Sequence, residues 1–245
     1  MKTLRLFGIS LLTVLMSVSF SACGGSDEED DNGGGGNTPS VSKRLVKVTE
    51  EFSNNTFSDK YTYDSQGRII KKERNSGTKT RYYVYTYTDN LIVEKEYYNI
   101  NYSTERLHTL ENGLIVSGEN DKRKYQCTYE NGRLTSMKEG NYVYSYIWEN
   151  GNIIRIDLNG EIYRKYEYTN YTAPQGFITP FGVEKDLGLF YGKSSKNLPS
   201  KCTFYDEEEG REDTYDWALK DGFPVNLINR KSGSTYLAIT TFEWE

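Results

Sequence analysis

Histidine is nearly missing from this 245-residue chain, which holds His108 alone beside three cysteines and five prolines. One imidazole without Cys or His at ligand spacing gives a zinc site, a Cys-His pair or a Ser-His nucleophile little to stand on. His108 reads as an ordinary strand residue. Basic excess is missing too, since 30 Lys and Arg face 35 Asp and Glu for a formal net charge of −5. A phosphate backbone requires a positive stripe, and its lack sets nucleic acid aside. Phosphate-cradling loops are also lacking, because Gly33 to Gly36 precedes no strand–helix unit. The densest acid cluster of the folded part, Asp206 to Asp213, lacks the Asp-x-Asp-x-Asp-Gly order of a calcium loop and reads as a solvated hairpin tip. No catalytic residue, metal site or cofactor is expected.

A long apolar run occurs once, at the start. Met1 to Arg5 is short and basic, and Leu6 to Phe20 is apolar apart from Gly8, Ser10, Thr13, Ser17 and Ser19. That is a signal-peptide pattern, too short and serine-rich for a stable transmembrane helix. It ends Phe20-Ser21-Ala22-Cys23-Gly24, which resembles a bacterial lipobox. The resemblance implies cleavage before Cys23 and a membrane anchor of acyl chains, each CH2 worth roughly 0.8 kcal/mol. No large apolar side chain follows until Val41, so nothing offsets the entropy of ordering, and the stretch reads as a flexible tether. Its acid block, Asp27 to Asp31, resembles the surface-export signal of Bacteroidota lipoproteins. That likeness implies an outer-membrane lipoprotein exposed on the cell surface. The expected organisation is a signal peptide over 1–22, a lipidated Cys23 with an acidic, Gly-rich tether over 23–40, and one domain over 41–245. Without Lys2, Arg5 and the five tether acids, the domain carries 28 bases against 30 acids.

What the chain has in abundance is tyrosine, 22 residues of it and all in the domain, with 10 Phe and 3 Trp in the whole sequence. Tyr suits half-wet strands, because its ring packs while its hydroxyl stays bonded. A theme opens at Tyr61-Thr62-Tyr63-Asp64-Ser65-Gln66-Gly67-Arg68-Ile69 and returns in degenerate form through the chain. Its anchors Tyr63, Tyr87, Leu110, Tyr129, Trp148 and Tyr168 lie 24, 23, 19, 19 and 20 residues apart. A steady period near twenty marks a repeat architecture. Asn-Gly at Asn112, Asn131, Asn150 and Asn159 signals tight hairpins. The flanks alternate at period two, with Tyr142, Tyr144, Tyr146 and Trp148 on one face and Val143, Ser145 and Ile147 on the other. Six or seven such units imply roughly a dozen strands.

A meander that long must curl or close to protect its edges. The expected fold is therefore all-β, antiparallel hairpin repeats forming a barrel-like or strongly curved sheet, with stacked Tyr on the inner face. A membrane-spanning barrel needs an uncharged outer band. Ile69-Ile70-Lys71-Lys72-Glu73-Arg74 instead puts charge on both faces. Between about Thr172 and Lys201 the pattern breaks. There Val183, Leu187 and Phe190, flanked by Gly182 and Gly192, suggest one short helix near 182–191 that caps or plugs a barrel end, or else an ordered loop. Hairpin signals resume at Asp221-Gly222, and Tyr236 to Trp244 reads as a closing strand.

The Tyr61 to Ile69 theme resembles the Tyr-Asp repeat of Rhs-type proteins, whose hairpins spiral into a β-shell. Taken with the lipobox and Gly192-Lys193-Ser194-Ser195-Lys196-Asn197-Leu198-Pro199, the chain over roughly 44–245 resembles a family of Bacteroidota lipoproteins of unknown function with a porin-like fold. The resemblance implies an architecture and no activity. Later repeats replace the Asp by Thr88 or Glu130.

With Cys23 committed to lipid, Cys127 and Cys202 are the pair available for a disulfide in an oxidising compartment. A small buried residue fits Cys127 equally well. Trp148, Trp217 and Trp244, with Tyr144 and Tyr146, are the candidate ligand-stacking residues; sheet packing is their other reading. The expected function is a surface-tethered, non-catalytic binding module for a glycan, glycoprotein or protein partner. The alternatives are an envelope scaffold with no small ligand and, third, a glycan-cleaving enzyme. Oligomeric state is not readable from the residues.

Overall fold

The computed structural model describes residues 43–245, except 54, 100, 121–122, 180–181, 184–185, 206–209 and 235–236. The signal peptide, Cys23, the tether and most of the Asp206 to Asp213 cluster lie outside the described residues.

Twelve strands come first, in hairpin succession. They are β1 (Leu45–Phe52), β2 (Asn55–Tyr63), β3 (Ile69–Ser76), β4 (Lys79–Tyr87), β5 (Leu91–Tyr98) and β6 (Asn101–Glu111), then β7 (Leu114–Asn120), β8 (Lys124–Glu130), β9 (Arg133–Glu139), β10 (Tyr142–Glu149), β11 (Asn152–Leu158) and β12 (Glu161–Thr172). An insertion over 173–196 carries the two-residue strands β13 (Ile178–Thr179) and β14 (Gly182–Val183) and a 3-10 turn, Gly188–Tyr191. The chain then returns through β15 (Asn197–Phe204), β16 (Arg211–Lys220), β17 (Phe223–Lys231) and β18 (Leu237–Trp244). Sixteen of these strands form a closed antiparallel barrel, and β13 pairs with β14 apart from it. Closure is made by β1 on β18, from Lys47 opposite Glu243 to Phe52 opposite Ala238. Next to this seam Arg44 and Glu245 exchange both backbone hydrogen bonds, at 2.6 and 2.9 Å.

The turns explain the register. Asn112, Asn131, Asn150, Asn159 and Asp221 sit at φ of 51–53°, each followed by a glycine at positive φ. Asn and Asp tolerate the left-handed region, and two such residues in a row make the type I′ turn that matches strand twist. The strands alternate up and down. The Asn112, Asn131, Asn150 and Asp221 turns therefore share one end with Arg44, Glu245 and the insertion. The opposite end is the mouth.

The repeat anchors have a common task. Tyr63, Tyr87, Tyr129 and Tyr168 donate their hydroxyls to the carbonyls of Leu45, Ile69, Ile115 and Ile153 at 2.6–2.7 Å. Trp148, Trp217 and Trp244 do the same with indole N–H, to Leu134, Pro199 and Pro224 at 2.8, 2.6 and 2.6 Å. Each acceptor opens, or nearly opens, the strand before, and a register shift adjoins each of them, at Leu45, Ile69, Ile115, Leu134, Ile153, Pro199 and Pro224. A bulge frees a carbonyl from the ladder, and a buried carbonyl needs a donor. The aromatic at each repeat end supplies it. Leu110 holds this station in β6 and only packs apolar surface, at 7% exposure.

A sixteen-stranded ring is too wide for wall side chains alone to fill. Here the insertion supplies the remainder. Phe177, Ile178 and Leu187 are buried in one core cluster with Val48, Tyr85, Ile92, Ile115 and Phe242 from the wall. Phe177 lies 5.2–6.1 Å from the rings of Phe242, Trp244 and Trp217. The insertion is also sewn to the hairpins: Lys193 N–H bonds the Gly132 carbonyl at 2.8 Å and Lys196 N–H bonds the Gly151 carbonyl at 2.9 Å. A Cβ on Gly192 would stand 2.3 Å from the Gly132 oxygen, so only glycine fits there.

The insertion is thus a plug, one of the two readings open from its sequence. The helix expected near 182–191 is present only as the 3-10 turn at Gly188–Tyr191. Val183 pairs with Ile178 instead, Leu187 makes no side-chain cap, and the turn begins at Gly188 and ends before Gly192. The spacing of Val183, Leu187 and Phe190 came from two separate elements.

Charge on the outer face is abundant and paired. Cross-strand pairs include Lys47–Glu243 across the seam at 2.6 Å, Lys95–Glu105 at 3.3 Å and Lys201–Glu167 at 2.6 Å, with Arg230–Asp216 between β16 and β17. Burial in β4 follows the alternation, with Tyr83 and Tyr85 inward at 9% and 4% exposure.

Candidate functional site

Between the plug and the mouth the wall leaves a cavity of about 540 Å³. Most of its residues come from alternate, inward positions of β3 to β9, with Glu119 and Arg123 at the rim and Asp186, Leu187 and Tyr191 of the plug as the floor. Inward charge on a strand needs a partner, and each finds one. Lys72, nearly buried, pairs with Asp186, which also accepts from the Tyr85 hydroxyl at 3.2 Å. Arg106 donates to Glu94 at 3.1 Å, and Arg123 meets Glu139 at the mouth at 3.5 Å.

His108 is central to this wall and 4% exposed. Its Nε2 is 3.3 Å from Glu94 and its Nδ1 is 2.6 Å from the Tyr125 hydroxyl. A carboxylate only accepts, so Nε2–H donates to Glu94, and in the neutral ring Nδ1 accepts from Tyr125. The Tyr191 hydroxyl lies 3.3 Å from that of Tyr125 and continues the chain. Gly118, opposite His108, makes room: a Cβ there would fall 2.3 Å from the Tyr125 ring.

The charge states follow from these contacts. Burial acts to raise the Glu94 carboxyl, but the His108 hydrogen bond and the Arg106 charge outweigh it and hold it below its ordinary value. Burial acts to lower the Lys72 ammonium, and Asp186 more than restores it. Burial pushes the Tyr125 phenol well up, so it stays protonated. The cavity is a set of compensated ion pairs around the protonated Tyr125 phenol. Among the described residues no group of His, Cys, Asp and Glu is placed to hold a metal ion.

The residues expected to bind lie elsewhere. Trp217 and Trp244 come together around Phe177 at the plugged end, and Trp148, Tyr144 and Tyr146 belong to a second core cluster with Leu134, Ile153 and Ile156. All three indole N–H groups are committed to the strand-opening carbonyls, and Tyr146 is 5% exposed. The Cys127–Cys202 disulfide is corrected: both are free thiols, on β8 and β15 with four strands between them. Five steps of about 4.8 Å along the wall exceed the span of a disulfide. Burial raises the thiols to about 12 and about 11, which makes them inert packing groups.

The fold defines a class: closed, porin-like antiparallel barrels. Two solved structures share it. A porin-like protein from Bacteroides uniformis ATCC 8492 superposes with a TM-score of 0.62 at 13% identity, over 82% of this chain and 98% of the other. A porin-like protein from Bacteroides vulgatus ATCC 8482 gives 0.60 at 14% identity, over 83% and 99%. No protein-family model and no curated protein matches the chain in sequence. The likeness is one of fold, and the barrel expected from the repeats is the barrel these proteins share.

Proposed function

We propose that the chain is a non-catalytic binding module of the cell envelope, tethered through a lipidated Cys23 and facing outward, with a glycan or glycoprotein as its ligand. One observation carries this reading. The barrel is plugged at one end, ion-paired on its outer face, and open at the other end onto a polar cavity. An outer face of this kind favours water, since charge near the bilayer midplane costs about 2–4 kcal/mol per Lys or Arg. A plugged lumen favours binding over conduction. Salt-bridged carboxylates and the protonated Tyr125 phenol suit recognition better than acid–base catalysis, which calls for a group poised near the working pH.

The scaffold reading draws on the three tryptophans, all of which serve the wall. The test is a glycan array with the purified protein, beside planar-bilayer recording. Saturable binding without conductance supports the module. A reproducible unitary conductance would return the protein to the pores, and a silent array would favour the scaffold. The anchor is tested separately: Cys23→Ser abolishes incorporation of a labelled fatty acid if Cys23 is the acylated residue.

A further inference from the structure

Charge in the cavity is balanced before any ligand arrives. Lys72, Arg106 and Arg123 face Asp186, Glu94 and Glu139, and the remaining acid, Glu119, is held by Lys124 at 2.6 Å. An anion entering would find every cation neutralised and four carboxylates around it. A cation would have to compete with guanidinium and ammonium groups already seated. A hydroxyl does neither. It donates to a carboxylate and accepts from the guanidinium or ammonium beside it, so each ion pair becomes a two-point contact for one hydroxyl, or for two on adjacent carbons.

Between these pairs stand Tyr125, Tyr191 and Leu187, apolar surface of the kind that covers the C–H face of a sugar ring. The cavity's size falls within the roughly 300–1,000 Å³ of small-molecule sites. We infer that this cavity binds a neutral polyhydroxylated ligand, a mono- or disaccharide unit, through the Lys72–Asp186, Arg106–Glu94 and Arg123–Glu139 pairs. The inference rests on the binding-module reading and gives it a place and a ligand class.

His108 makes the site testable, because it is the only histidine in the chain and it lines the cavity. The full-length protein in mild detergent, labelled with 13C-histidine, gives one Cε1–H signal from this wall. Maltose, cellobiose, lactose and chitobiose are titrated in, beside glucuronic acid and glucosamine as charged probes. At least one neutral disaccharide is expected to shift the signal saturably. Arg123→Gln and Glu139→Gln should each weaken that binding several-fold at unchanged melting temperature, since Arg123 is 70% exposed and its pair with Glu139 sits at the mouth. Tighter binding of glucuronic acid or glucosamine overturns the ligand class. A neutral glycan retained on the array without any His108 shift overturns the location and leaves the module reading standing. A silent array together with a silent His108 overturns both.

Discussion

Tyr87→Phe removes one oxygen from the wall and nothing else. The lost bond is the 2.6 Å hydroxyl donation to the Ile69 carbonyl, whose residue is 6% exposed. The ring keeps its other contacts, stacked 5.6 Å from Phe190 and beneath the Arg68 guanidinium at 4.4 Å. The cost is therefore that of a buried carbonyl left without a donor, about 1–3 kcal/mol. For a domain of this size each kcal/mol moves the melting temperature by roughly 2–4 °C. Tyr63→Phe and Tyr129→Phe remove equivalent bonds to Leu45 and Ile115, so each should cost a similar amount. The stations are two or more strands apart, and the double variant Tyr63→Phe/Tyr129→Phe should add within about 0.5 kcal/mol. Urea titrations read this out, with the midpoint falling at constant slope. Losses below about 0.3 kcal/mol at all three stations, set against the cost expected for an unmet buried carbonyl, would refute the idea that the repeat aromatics exist to satisfy bulged carbonyls.

Other outcomes follow from the plug and the inner wall. Asp186→Asn leaves the Lys72 ammonium nearly buried without its charge partner and should cost about 3–5 kcal/mol; hydrogen exchange should rise over 186–196 before it rises in the wall. Gly118→Ala drives its Cβ into the Tyr125 ring, so it should cost roughly 1–3 kcal/mol and shift the His108 signal, read by a thermal melt and by NMR. Burial raises the Asp213 carboxyl above its unfolded value near 3.8. The folded state therefore gains relative stability as pH falls through the folded value, and ionised Asp213 weakens it at neutral pH. Asp213→Asn should then raise the melting temperature at pH 7, by an amount that shrinks toward zero below about pH 4, the unfolded carboxylate range; a lowered temperature at pH 7 would sink this account.

Much of the wall was legible in the residues. Asn-Gly pairs set the turns, the period near twenty set the hairpin repeat, and the closing strand at Leu237–Trp244 fell one residue from its expected start. The strand count was too low, because the anchors from Tyr63 to Tyr168 account for β1 to β12, and the insertion breaks the period before β15 to β18. The cavity was harder to see. In β3 the charges that argue against a lipid face are Lys71 and Glu73, whereas Lys72 and Arg74 between and beside them point inward, and an inward charge on a strand looks the same in sequence as an outward one. What separates them is the partner across the lumen, and Asp186 lies 114 residues away. His108 looked ordinary because its partners Glu94 and Tyr125 are 14 and 17 residues off, at strand-pairing distance rather than at any motif spacing. The tryptophans misled for a related reason. Their spacing from the preceding strand showed that they belong to the repeat, while their chemistry suggested a ligand.

The seam between β1 and β18 has a consequence for the order of assembly. Apart from that pairing and the step across the insertion, every strand pairs with its neighbour in sequence. The wall can therefore zip from any hairpin at small loop-closure cost, and only the seam must bring together segments nearly 200 residues apart. A peptide link from Glu245 to Arg44, which already exchange both backbone bonds, with a new opening at the Gly77 turn, would make the present seam local and turn β3 on β4 into the last pair to meet. The ring would hold the same bonds in either order, and the difference would lie in which strands wait longest with an edge exposed.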